Sequence, residues 1–489
     1  MHAVAAAVDH QRHAADDGAG ATGDTSGRGG NPALTASGAV LGTPSYMPPE
    51  RAAGPDSTTA SVEPTVDVYA VGAILYEALT GAPPYARERG DWTVTAILDA
   101  IRDRPPVRVH DLAPEAEPEL AAIADLDTFE VLPWDNRVAR VFCDCYDTET
   151  GERFDADPRQ NLKQVVDAFE KELGLNFLIG IEPEMMWLKK PEGDEIPEGV
   201  TKPYCYHIHQ FEELRPVLMD VVDYGQALGL DMSYGDHEDA PGQLELNFRF
   251  DRPVTTADNI TTYRQIIAAV GRKHGLLGTF MPKPFTGVSA NGHHHHFTLV
   301  DDDGNNVFHD PDGPASLSDK GRFFLGGLLE HFHALMCVGN PTVNSYVRMW
   351  DTGFWAPIYK NWGWQNRTCT VRVASGGRFE YRGVDSSCNP YLTVATLLNA
   401  GLDGLRREID PGPPQEGNTY DLLQEGVEIE KVPDNLGDAL KELAKDDIVR
   451  SAMPGRLYEV FRHYKQDEWE RYLSSVTDWE RDEYLEYLP

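Results

Sequence analysis

The sequence predicts a mixed α+β protein whose chemistry sits on strands. Three observations carry this. Between about residues 176 and 390, short β-rich runs alternate with helical stretches at roughly 211–228, 257–275 and 318–337, the pattern of strands with helices packed outside them. Residues 391–489 then read as mainly helical. Finally, two acidic pairs, Glu182/Glu184 and Glu238/Glu245, and four adjacent histidines, His293–His296, lie in or beside apolar alternating runs. Such groups are costly to bury there unless they share a partner.

The totals exclude several functions. The 489 residues carry 79 acidic against 43 basic side chains, a formal charge of −36. That disfavours nucleic acid and anionic membranes, which need a basic face. Six cysteines, with no CxxC pair, are too scattered for a disulfide scaffold, so reduced thiols in a cytoplasmic protein are expected. No apolar run reaches the roughly 18 residues of a membrane span, and the N-terminus lacks a basic-then-apolar signal.

Residues 1–38 are rich in Ala, Gly, Asp, Ser and Thr and are expected to be disordered, having little apolar surface to bury. Residues 39–124 differ. Leu41-Gly-Thr-Pro-Ser-Tyr-Met-Pro-Pro-Glu50 leads into Val66-Asp67 and an apolar helical run ending at Gly81-Ala-Pro-Pro-Tyr85. This resembles the C-lobe of a bacterial serine/threonine protein kinase, from the Pro49-Glu50 motif into the following helix. Nothing upstream supplies a glycine-rich phosphate loop, a strand lysine, a catalytic aspartate or a metal aspartate. The segment therefore reads as a docking piece or a fusion remnant rather than a kinase.

A third section spans 125–489. Arg137–Asp144 alternates as a strand, and Pro158–Leu173 has the apolar spacing of a helix, with Pro at its start and Gly174 placed to close it. In Phe177-Leu-Ile-Gly-Ile-Glu182-Pro-Glu184, the two carboxylates at i and i+2 share one strand face; the bland alternative is a surface edge, which Pro183 would suit. Pro241-Gly242 signals a turn between Glu238 and Glu245, so the two either approach each other or decorate a plain charged hairpin. On a strand, His294 and His296 face opposite to His293 and His295. One imidazole in each pair can then face a cleft, where the upstream carboxylates and one nitrogen could share a hard divalent cation. Downstream lie Arg348, Arg367, Arg372 and the alternating Arg378, Glu380 and Arg382. Either they form an ion-pair ladder, or they aim at anionic phosphate and carboxylate ligands.

Together with Met281-Pro-Lys-Pro284, Asn340-Pro-Thr-Val-Asn-Ser-Tyr346 and Asp385-Ser-Ser-Cys-Asn-Pro390, these motifs resemble the glutamine synthetase family, in family order from about residue 125 to 489. The resemblance implies a split β-barrel funnel with outer helices, ATP entering one end and glutamate the other, and two Mg²⁺ or Mn²⁺ ions between. By position, Glu184, Glu238 and Glu245 would hold the ion nearer glutamate, and Glu182, His294 and Glu380 the ion nearer ATP. Phe250, His296, Thr298 and Arg378 match nucleotide contacts. Arg348 and Arg382 match glutamate-binding arginines, while Arg367 and Arg372, with Glu380, match the catalytic set around the phosphoryl group.

Two departures qualify the resemblance. The family's N-terminal β-grasp domain is largely missing, which bears on homo-oligomer assembly and on turnover. In Phe354-Trp355-Ala356-Pro357, Trp355 stands where ammonia-using members carry a glutamate. Indole takes no proton but offers an apolar and cation–π face, which points to methylamine or another small amine, as in the glutamate–methylamine ligase branch; a rebuilt-loop core residue is the alternative. The expected function is an ATP-dependent ligase joining glutamate to ammonia or a small alkylamine. The rival is a non-catalytic sensor of the same family.

Overall fold

The structure, a computed structural model, describes residues 120–148, 150–191, 197–350 and 355–486, with the short strand β1 (Ala3–Ala6) and a few positions between residues 73 and 101. The kinase-like reading of 39–124 falls almost wholly outside the described residues. The chain divides into two units, Met1–Phe154 and Asp155–Pro489.

In the first unit β2 (Leu120–Val131) and β3 (Val138–Asp147) form an antiparallel hairpin, and β1 pairs with the far side of β3. The rest of the 1–38 stretch expected to be disordered lies outside the described residues; at Ala3–Ala6 small residues offer backbone N–H and C=O groups to an open sheet edge. A register shift between Asp125 and Glu130 bends β2.

The second unit opens with α1 (Pro158–Leu173). The Asp157 side chain accepts from the N–H groups of Arg159 and Gln160, and Gly174 closes the helix at φ 64°, as Pro158 and Gly174 predict. After it come β4 (Asn176–Lys189), α2 (Ile208–Ala227), β5 (Met232–His237), β6 (Gln243–Phe248), α3 (Pro253–His274), β7 (Leu276–Thr279) and β8 (His293–Val300). Helices α4 (Asp319–Glu330), α5 (Phe332–Gly339) and α6 (Val343–Trp350) precede β9 (Trp362–Trp364), β10 (Val371–Ala374) and β11 (Arg378–Tyr381). The strands form one eight-stranded sheet in the order β5-β6-β4-β8-β11-β10-β9, with β7 also on β4.

Alternation decides what this sheet shows on each face. Phe177, Ile179 and Ile181 of β4, Phe297 and Leu299 of β8, and Phe379 and Tyr381 of β11 are buried; Phe177, Phe297 and Phe379 pack with Phe324 of α4 in an aromatic cluster. The intervening residues, Glu182, Glu184, His294, His296 and Glu380, share the other face. Pro183 corrects the edge reading: β4 is central, and Pro183, with no N–H to donate, sits where pairing with β8 ends and pairing with β6 begins.

The C-terminal part is helical as expected: α7 (Pro390–Arg407), α8 (Thr419–Gln424), α9 (Leu436–Lys445), α10 (Asp447–Ser451), α11 (Arg456–Leu473) and α12 (Asp478–Tyr484). Helices α11 and α12 are separate because Thr477 and Glu480 form a capping box that starts the second. Helix α7 is tied inward by a buried network: Arg159 of α1 pairs with Asp258 of α3 at 2.8 Å, and the Tyr391 hydroxyl donates to Asp258 at 2.6 Å.

One further polar link gives a stability prediction. His331, between α4 and α5, lies 3.0 Å from Asp403 of α7 and 2.7 Å from Asp446, which also caps α10. Burial works against the charged imidazole, but the hydrogen bonds it donates to the two carboxylates outweigh it and raise its pKa. The folded value exceeds the unfolded one, so this link stabilises fully below the ordinary histidine pKa and is lost as pH rises through the folded value. His331→Leu is expected to cost about 1.5–3 kcal/mol at pH 6 and clearly less at pH 9. Thermal melts at both pH values check it; an equal cost at each would refute it.

Candidate active site

Strand register assembles the site. In β4–β8, Glu182 lies opposite His294 and Gly180 opposite His296. In β8–β11, His296 lies opposite Glu380, and in β10–β11, Glu380 lies opposite Arg372. In β4–β6, Glu184 faces Glu245. The turn before β6 needs its glycine: Gly242 has φ 73°, and a Cβ there would stand 2.0 Å from the Trp187 carbonyl oxygen. That turn returns Glu238 to the same mouth. The plain-hairpin reading fails on the burial of Glu245, 7% exposed, and the surface-edge reading fails because β4 is paired on both sides.

The carboxylates and imidazoles converge. The His296 Nε2 atom is 2.8 Å from Glu182 Oε1. His294 Nδ1 is 3.4 Å from Glu182 Oε2 and 3.7 Å from Glu380 Oε1, and its Nε2 is 4.0 Å from Glu184 Oε1. Two sets offer ligand atoms within 4.8 Å of one another: Glu182, His296 and Glu380, and Glu182, Glu245 and His294. This grouping differs from the expected one. Register flanks the Glu182 carboxylate with both rings, so Glu182 belongs to both sets, and His296, expected at the nucleotide, is within ligand reach.

Electrostatics mark the cluster as strained. Burial, then the neighbouring charges of Glu184, Asp236 and Glu182, pushes Glu238 up to about 8. Burial, then Glu182 and Glu184, pushes Glu245 up to about 10. Burial opposes ionisation of Glu380 as well, but Arg382 and the histidines hold it at about 2. The Arg372 Nη1 atom donates to Glu380 Oε2 at 2.5 Å, and Arg382 donates to its other oxygen. Carboxyls that hold protons near neutral pH, grouped with imidazole nitrogens, fit a divalent cation as the positive partner.

Two pockets meet at Glu182. One is lined by Gly180, Phe250, His296, Thr298 and Arg378, with Asn247 and Asn306. The other holds Glu184, Glu238, Glu245, His294, Arg348, Trp355, Arg367, Arg372, Glu380 and Arg382. The expected metal, nucleotide, glutamate and phosphoryl residues therefore each line one pocket or both, whereas His293 and His295 line neither. Arg348 is 4% exposed, and its Nη1 donates to Asn340 Oδ1 at 3.3 Å. Trp355 is half exposed, with a left-handed backbone at φ 59°, a conformation that costs of order 1–3 kcal/mol in a non-glycine residue.

Sequence reasoning missed Tyr206 and Asp236, and gave no role to Lys283 and Gly292, all of which also line the second pocket. It did not identify Gln243 or Asn247 as site residues either. Gly292 carried a readable signal. It precedes the histidines, and a Cβ there would meet His294 Nε2 at 2.7 Å and Glu184 Oε1 at 3.2 Å.

Comparison with known proteins agrees. Residues 155–484 match the protein-family model for the glutamine synthetase catalytic domain. The glutamine synthetase of Pyrococcus horikoshii is 39% identical over 386 residues, covering 75% of this chain and 85% of its own length. That of Methanocaldococcus jannaschii is 37% identical over 383 residues, 76% and 84% of the two chains; that of Halobacterium salinarum is 38% identical over 382 residues, again 76% and 84%. Two solved structures are similar. A GmaS–ADP complex is 33% identical with a TM-score of 0.68, covering 76% of this chain and 87% of that one. Ligand-free GmaS is 32% identical with a TM-score of 0.70, covering 85% and 92%. On the match across its second unit and on this identity over most of each relative's length, the chain belongs to the glutamine synthetase family.

Proposed function

We propose that the funnel joins the γ-carboxylate of glutamate to a small amine through a γ-glutamyl phosphate. The protein is an ATP-dependent glutamate ligase, and the observation that carries the reading is the shared Glu182, with an apolar pocket on one side and an acid- and arginine-lined pocket on the other. A carboxylate resists amines because oxide is a hopeless leaving group. The γ-carboxylate first attacks the γ-phosphorus of ATP and ADP departs. The amine then attacks the acyl carbon, loses a proton, and phosphate leaves with the C–O bonding pair.

Each part of the chain has a task in this reading. Phe250, His296, Thr298 and Arg378 bind the nucleotide. Arg348 and Arg382 hold glutamate, and Arg367 and Arg372 steady the phosphoryl group in transit. Glu182, Glu184, Glu238, Glu245, His294 and Glu380 would hold two Mg²⁺ or Mn²⁺ ions, which when bound offset the repulsion between phosphate and carboxylate. His296 joins that set on its contact with Glu182.

Trp355 sets the acceptor. Half exposed beside Ala356 at the acidic pocket, its indole can cover an alkyl group and face an ammonium but cannot take a proton. A small alkylamine such as methylamine is therefore the preferred acceptor over ammonium. The six free cysteines suit a cytoplasmic setting, and no described helix is long and apolar enough to cross a membrane. The exposed Leu473, Val476, Trp479 and Leu485 offer a face for a second copy of the chain. Residues 39–124, the kinase-like run, carry no chemistry in this reading.

Phosphate release from ATP, glutamate and Mg²⁺ or Mn²⁺, followed with and without each amine, tests the proposal. Glutamate-dependent release stimulated mainly by methylamine is expected, and Trp355→Glu is expected to shift preference toward ammonium by about 10-fold or more. Stimulation by ammonium alone would overturn the acceptor assignment. ATP binding with no release in any mixture would favour the sensor.

A further inference from the structure

Gln243 is 1% exposed at the start of β6, and all its amide hydrogen bonds point into the acidic pocket or the turn beside it. Its Oε1 accepts from the Ala240 N–H at 2.9 Å. Its Nε2 donates to Glu184 Oε2 at 2.9 Å and to the Ala290 carbonyl at 2.9 Å, and lies 3.2 Å from Asn291 Oδ1. Turning the amide over would set its oxygen against three acceptors and its NH₂ against a backbone N–H, so the orientation is fixed by its surroundings.

Glu184 is thereby held asymmetrically. Its Oε2 accepts from Gln243 and also from the Gly292 N–H at 2.8 Å. Its Oε1 is left toward the funnel, 4.0 Å from His294 Nε2. The neighbouring Glu245 is treated alike, with Oε1 accepting from Asn247 Nδ2 at 2.6 Å. A neutral amide holds a carboxylate without adding charge, whereas an arginine, as at Glu380, would neutralise it. Gln243 also ties the carboxylate to the backbone of 290–292, the segment that leads into β8.

We propose that Gln243 is a positioning residue that presents a single oxygen of Glu184 to a divalent cation and locks the 290–292 segment against it. This rests on the assignment of Glu184 as a metal ligand made above. Groups that orient ligand side chains in this way are typically worth 10–100-fold in metal affinity.

Mn²⁺ binding to the metal-stripped full chain, read by calorimetry and by the electron spin resonance of free Mn²⁺, separates the two claims. Gln243→Met keeps the length and removes the donor. It is expected to weaken the tightest Mn²⁺ by about 10–100-fold, with turnover lost at low Mn²⁺ and recovered as Mn²⁺ is raised. Gln243→Asn keeps a polar amide but withdraws it by one methylene from Glu184; it must weaken Mn²⁺ as well, and covers the case in which methionine disturbs folding. Glu184→Gln is the control and is expected to lose that Mn²⁺. Wild-type affinity in both Gln243 variants, with binding lost in Glu184→Gln, would overturn the positioning role alone. Unchanged affinity in Glu184→Gln would instead remove the ligand assignment, and the proposal with it.

Discussion

Glu182→Gln is expected to lower kcat/KM by at least about 10²–10³-fold, some 2.7–4 kcal/mol of transition-state stabilisation, while the protein stays folded. The change keeps the shape of the side chain and removes its charge. Glu182 is the one carboxylate in both ligand sets and on both pocket walls, so its loss acts on nucleotide and glutamate sides together. One of His296 and His294 also loses its acceptor, because an amide keeps a single oxygen: burial opposes ionisation of the Glu182 carboxyl, yet hydrogen bonds and charge from these rings hold it far below its usual range. Steady-state kinetics across a Mn²⁺ titration, with a thermal melt beside them, reads the result. Wild-type kcat/KM in a folded variant would contradict the two-ended funnel.

Gly292→Ala comes next, with an expected loss of about 10²-fold in turnover. A Cβ there would stand 2.7 Å from His294 Nε2, 3.2 Å from Glu184 Oε1 and 3.3 Å from Arg348 Nη2. All three are side-chain ends, so the strand can still form. His294 and Arg348 are nonetheless almost fully buried and have little room to retreat. One methyl group then displaces an imidazole, a carboxylate and a guanidinium at once. Turnover and glutamate KM, compared with the far-ultraviolet circular dichroism of the same sample, distinguish this from misfolding. Turnover within a few-fold of wild type would show that these groups tolerate displacement.

Local patterns were legible, and long-range registers were not. Pro158 and Gly174 bound a helix because each acts through its own backbone. Alternation in Phe177–Glu184 and across the four histidines sorted core from funnel, since a strand offers only two faces. Whether Glu182 would lie nearer His294 or His296 depends on how β4 pairs with β8, which no local spacing encodes. Pro183 misled because central strands rarely tolerate proline; here the missing donor falls at a change of partner. Gln243 and Asn247 gave no signal of their own, because neutral amides do not titrate and resemble ordinary strand polar residues. The capping box at Thr477 and Glu480 was readable, yet the surrounding helical composition masked the break.

Apart from the β5–β6 and β10–β11 hairpins, the pairings that build the funnel join segments remote in the chain: β4 with β8, β8 with β11, and Arg159 with Asp258 across the helices behind them. Nascent helices such as α1 have local caps and can form early, but the sheet must wait for large loops to close against their entropy. Catalytic competence is therefore acquired late during folding, after much of the helical signal. Until then β4, β8 and β11 expose apolar faces, an interval in which a crowded, unassisted chain is most exposed to aggregation.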